Sequence, residues 1–68
     1  MVQVKLLKGL IKENDETLED YSKVIGKSVT TLQERLKGKS EFLRSELLKT
    51  KEHYNLSDER FLEIFFKN

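Results

Sequence analysis

The chain contains no cysteine, no proline, a single histidine and only three glycines. Without cysteine there are no disulfides and no thiolate ligands. His53 alone would need several carboxylates beside it to hold a metal, so structural zinc is excluded and no cofactor is expected. No apolar run approaches the roughly 20 residues that span a bilayer, and the first residues lack the apolar stretch of a secretion signal. The expectation is therefore a soluble, cytoplasmic chain with no membrane contact. At 68 residues it should form one domain over 1–68, with no room for a second, ligand-sensing one.

Charge is plentiful: 37% of the residues are charged and 37% hydrophobic, enough apolar content to fold beneath a heavily charged surface. The net charge of +1 hides an uneven distribution. Met1 to Tyr21 holds three lysines against five acids, and Glu52 to Asn68 two bases against four acids. Between them, Ser22 to Lys51 carries Lys23, Lys27, Arg35, Lys37, Lys39, Arg44, Lys49 and Lys51 against only Glu34, Glu41 and Glu46. Such a local surplus suits a face that meets phosphates, and equally a merely solvated surface.

Apolar spacing predicts five short helices. Val4, Leu7 and Ile11, with Leu6 and Leu10 beside them, mark a first helix ending near Glu13, followed by a turn at Asn14 and Asp15. Thr17 is a good N-cap for the second, with Glu19 and Asp20 in its first turn, where carboxylates suit the helix dipole. Leu18, Tyr21, Val24 and Ile25 form its apolar stripe, and Gly26 can supply the left-handed residue that ends it. Ser28 caps a third helix running to about Lys37, with Val29, Leu32 and Leu36 on one face and Gly38 as its stop. Leu43, Leu47, Thr50 and Tyr54 share a face of a fourth, with Asn55 as its C-cap. Ser57 caps a fifth, in which Phe61, Ile64 and Phe65 fit one face and Leu62 and Phe66 fall partly outside it.

Two short helices joined by a glycine turn make a unit whose second helix can enter a major groove. The segment TLEDYSKVIGKSVTTLQERLKGK, residues 17–39, resembles the helix-turn-helix of phage Cro and repressor proteins, the lambda-repressor-like or Xre class. The likeness rests on Thr17 at the cap, Ser22 at the small-residue position, Gly26 in the turn, Ser28 at the next cap, Thr31-Leu32 inside the third helix, and Gly38-Lys39 after it. SEFLRSELLKTKEHYNLSDERFLEIFF is similar to the tail of small phage-type regulators of low-GC Gram-positive bacteria. Three positions depart from the class: Leu18 stands where a phosphate-holding Gln is common, Lys27 and Arg35 where apolar residues are. The resemblance implies an all-α, five-helix lambda-repressor-like DNA-binding domain with its helix-turn-helix in helices 2 and 3. It implies a Cro-like transcriptional regulator, not an enzyme, that reads a short palindromic operator in double-stranded DNA.

With Leu32 and Leu36 turned inward, about 100° per residue places Thr30, Gln33, Glu34 and Lys37 outward, with Val29 at the edge. Val29, Thr30, Gln33 and Glu34 are the candidates for base contact. Gln pairs with adenine, Glu accepts from cytosine, Thr donates or accepts, and Val meets a thymine methyl. Lys27, Ser28, Thr31, Lys37, Lys39 and Ser40 are the candidates for phosphate contact. Leu62, Phe65 and Phe66 form a candidate dimer surface, since a homodimer bridging two half-sites raises the affinity of so small a domain. A competing expectation is an antirepressor-type module that contacts a phage repressor protein, suggested by the weak net charge and by Glu34 on the reading face. His53 is expected to be packed or solvated.

Overall fold

A computed structural model describes residues 2–66, and among these the chain is all-helical, with five helices and no strand. They are α1 (Val4–Glu13), α2 (Leu18–Val24), α3 (Val29–Leu36), α4 (Arg44–His53) and α5 (Asp58–Phe65). Hydrogen-bonding side chains start most of them. The Thr17 hydroxyl accepts from the Asp20 amide, and the Asp20 carboxylate accepts from the Thr17 amide at 2.8 Å, a reciprocal capping box. Ser28 and Ser57 cap α3 and α5 by accepting from the amides of Thr31 and Arg60, each at 3.1 Å.

Left-handed residues stop the helices. Gly26 and Gly38 take φ of +71° and +80°, a conformation glycine adopts without steric cost. The amides beyond them reach back, Lys27 to the Ser22 carbonyl and Lys39 to the Glu34 carbonyl, both at 2.9 Å. Asp15 and Asn55, with φ of +56° and +50°, do the same after α1 and α4.

The core is built from Leu7, Leu10, Ile11, Tyr21, Ile25, Leu32, Leu56, Ile64 and Phe65, with Leu18, Val24, Leu36, Leu47 and Tyr54 half-buried around it. Two expectations are corrected here. Phe65, proposed as interface, is only 3% exposed and packs its ring edge-on to Phe42 at 5.7 Å; its neighbours Leu62 and Phe66 remain outside, 53% and 55% exposed. On α4 the apolar face does not include Leu43, which is 49% exposed at the N-cap position, one residue before the helix. The inward positions one turn apart are Glu46 and Thr50, both fully buried.

A second polar cluster ties the turn between α1 and α2 to the end of α4. Glu16 accepts from the Tyr54 hydroxyl and pairs with His53 Nε2 at 2.9 Å. The Tyr54 and His53 hydrogen bonds hold the Glu16 carboxyl below the ordinary range, while burial and the facing carboxylate push the Tyr54 hydroxyl up. No helix among the described residues is long and apolar enough to cross a membrane.

Candidate nucleic-acid interface

The α2–α3 pair is short, and what holds it is buried behind it. From α3, Leu32 is fully buried, and Arg35 grips the Glu46 carboxylate of α4 with two nitrogens, Nε at 2.9 Å and Nη2 at 3.2 Å. The third guanidinium nitrogen donates to the Ser40 hydroxyl at 2.7 Å, and the Leu43 amide donates to Glu46 at 2.9 Å. Only 11% of the Arg35 side chain and none of the Glu46 side chain is exposed. Burial alone would push the Glu46 carboxyl up; the two-pronged Arg35 contact, the Leu43 amide and the nearby Lys27 charge outweigh it and hold it below its ordinary value.

The same turn of α4 reaches α2. Thr50 spends its single hydroxyl proton on the Glu46 carbonyl at 2.8 Å, so the Tyr21 hydroxyl, 2.7 Å away, must donate to Thr50 Oγ1. Burial raises the Tyr21 hydroxyl to about 12, so it keeps that proton across the physiological range. Every buried side-chain nitrogen and oxygen among the described residues has a hydrogen-bond partner. The α2–α3 pair is thus locked to α4 by a satisfied polar network as well as by apolar packing.

On the other side of α3, among the described residues, four side chains form no hydrogen bond or ion pair. Thr30, Gln33, Glu34 and Lys37 are exposed on one face, with Val29 half-buried at its edge, as the periodicity predicts. Lys27 and Lys39 are exposed at the two ends of the helix. Ser28 and Thr31 are occupied with each other: Ser28 Oγ accepts from the Thr31 amide and donates to Thr31 Oγ1 at 3.1 Å, so a phosphate there would meet a preformed cap. Ser40 is half-buried and already accepts from Arg35, which leaves its hydroxyl proton as the group it can offer outward. Leu18, where the resembling class has Gln, is half-buried against the core and offers no polar group.

Arg35 and Glu46 cancel, so the basic surplus survives their removal from the surface. Lys27, Lys37, Lys39, Arg44 and Lys49 are all exposed, and none forms an ion pair among the described residues. Lys49 was not among the sequence candidates. Its ammonium lies against the α2–α3 turn, 3.6 Å from where a Cβ on Gly26 would sit. Membership of the basic segment was legible; only the packing of α4 behind α2 brings it to the turn. Compared with protein-family models, with curated proteins and with solved structures, the chain matches none.

Proposed function

We propose that the chain is a sequence-specific DNA-binding regulator of the lambda-repressor-like kind, reading a duplex operator with the outward face of α3. The observation that carries this reading is the contrast across α3: a helix held from behind by buried bonds presents the side chains of Thr30, Gln33, Glu34 and Lys37 with no hydrogen bond or ion pair among the described residues. A rigid helix with free polar side chains is what base readout requires, because the donors and acceptors are then neither disordered nor already satisfied. Lys27, Lys39 and Lys49 supply sequence-independent attraction to phosphates around it. Binding as a homodimer would place two such helices on the half-sites of a palindromic operator. Regulation would follow from occupancy of promoter DNA, with the protein's concentration as the variable.

Selection from a random pool of DNA duplexes tests the reading directly. A single enriched motif is expected, bound with an affinity that falls steeply as salt rises. A pool that returns no motif rejects it. Glu34, exposed in the centre of the face where a carboxylate repels phosphates that it does not bypass, supports a second reading, a module that binds a repressor protein in place of DNA. Binding to a purified repressor, insensitive to salt, would then be the outcome.

A further inference from the structure

One further surface joins three features that the monomer leaves unexplained. α1 and α5 lie side by side and antiparallel: the Gln3 amide donates to the Ile64 carbonyl at 2.6 Å, and Arg60 meets Glu13 at 2.9 Å at the other end. With Leu7, Leu10 and Ile11 turned inward, α1 shows solvent Lys5, Lys8 and Lys12, all exposed and without an ion pair among the described residues. With Ile64 and Phe65 turned inward, α5 shows Glu59, Leu62, Glu63 and Phe66, which together line one shallow hollow of about 460 Å³. In the middle of the lysine face stands Gly9. It ends no helix, and a Cβ there would meet nothing within 4 Å. Glycine weakens a helix interior, so neither backbone conformation nor packing within the monomer accounts for it.

We propose that these two faces dock on each other in a two-fold dimer, each copy laying its α1 on the α5 of the other. A two-fold axis parallel to the helices and between them produces this arrangement. It sets Lys12 of each copy opposite Glu59 of the other, and Lys5 and Lys8 opposite Glu63. Gly9 then leaves a floor on which Leu62 and Phe66 of the other copy settle. Charge complementarity selects this occupant: pairing α5 with α5 would gather four carboxylates around the apolar residues, where like charges repel. The inference deepens the dimer part of the proposed function, and its test uses no DNA, so operator binding and this interface can fail separately.

The test is sedimentation equilibrium of the full chain over a concentration series, with circular dichroism confirming that each variant is folded. The wild-type chain should associate to a dimer, more weakly at high salt. Lys5→Glu with Lys8→Glu should weaken association about tenfold or more, as should Glu63→Lys, since each turns the attraction between these positions into repulsion at both contacts. An equimolar mixture of the two variants should dimerise again, because both contacts of the mixed dimer are complementary. Gly9→Gln should raise the melting temperature of the monomer, as a better helix former, and yet weaken the dimer. Unchanged association of the Lys5, Lys8 variant, failure of the mixture to recover, assembly beyond a dimer, or a wild-type chain that stays monomeric at every concentration overturns the proposal.

Discussion

Glu34 and Arg35 are adjacent in sequence, and the turn of the helix between them separates two kinds of charge. Arg35 points inward, spends its nitrogens on Glu46 and Ser40, and serves the fold. Glu34 points outward with Gln33, Thr30 and Lys37, and holds no hydrogen bond among the described residues. The same helix therefore carries its buried and its exposed charges on opposite sides. A charge census cannot tell them apart; desolvation can, because only the buried one requires a partner to be tolerated.

Mutations on the two sides should separate accordingly. Arg35→Met leaves the Glu46 carboxylate fully buried without its cation, and denaturant unfolding should show a loss of about 3–5 kcal/mol. Adding Glu46→Met should recover most of that loss, since a buried ion pair is often no better than apolar groups of similar volume. A single variant as stable as the wild type would erase the contrast between the two sides of α3. On the outer side, Gln33→Ala should change stability by less than about 0.5 kcal/mol. Titration of an operator should instead show a loss of about 1–3 kcal/mol with relaxed preference at one base pair. Lys39→Ala should weaken binding to all sequences alike.

Smaller effects sharpen the inner side. Tyr21→Phe removes the donor to Thr50 Oγ1 and should cost about 0.5–1.5 kcal/mol in a thermal melt, with no change in DNA preference. Acid titration probes Glu46 without mutation. Its carboxyl is lower in the folded chain than its ordinary value of 4.5, so its contribution to stability is complete above that value and is lost as pH falls through the lower folded one. In the Arg35→Met chain burial dominates and the sign reverses, so mild acid should relieve part of the destabilisation. Parallel pH profiles for the two chains would contradict this account of the pair.

Local chemistry made much of this legible. Thr17, Ser28 and Ser57 start helices and Gly26 and Gly38 end them because caps and left-handed residues act within a few positions of themselves, where sequence is sufficient. The exposed face of α3 follows from periodicity once Leu32 is placed inside. Two expectations failed for a shared reason. Composition puts Arg35 and Glu46 in the charge count of the middle segment, and spacing puts Leu43 on the apolar face of the fourth helix, because a charged residue enters a core only when a partner from another helix waits there. The spacing of 11 residues between Arg35 and Glu46 carries no periodic signal that would announce it.

The sequence by itself determined five helices, the starts of α2, α3 and α5, the glycine stops of α2 and α3, the side of α3 that stays wet and the basic character of the middle segment, since these depend on neighbours three or four residues away. Only the tertiary structure decided that Phe65 belongs to the core and Phe66 does not. It alone brought Lys49 to the α2–α3 turn, and paired Arg35 with Glu46 behind α3. It also set the lysine face of α1 beside the acidic, apolar face of α5. Those outcomes depend on which helix packs against which, and so on the burial of groups distant in the chain, whose free energy no local pattern encodes.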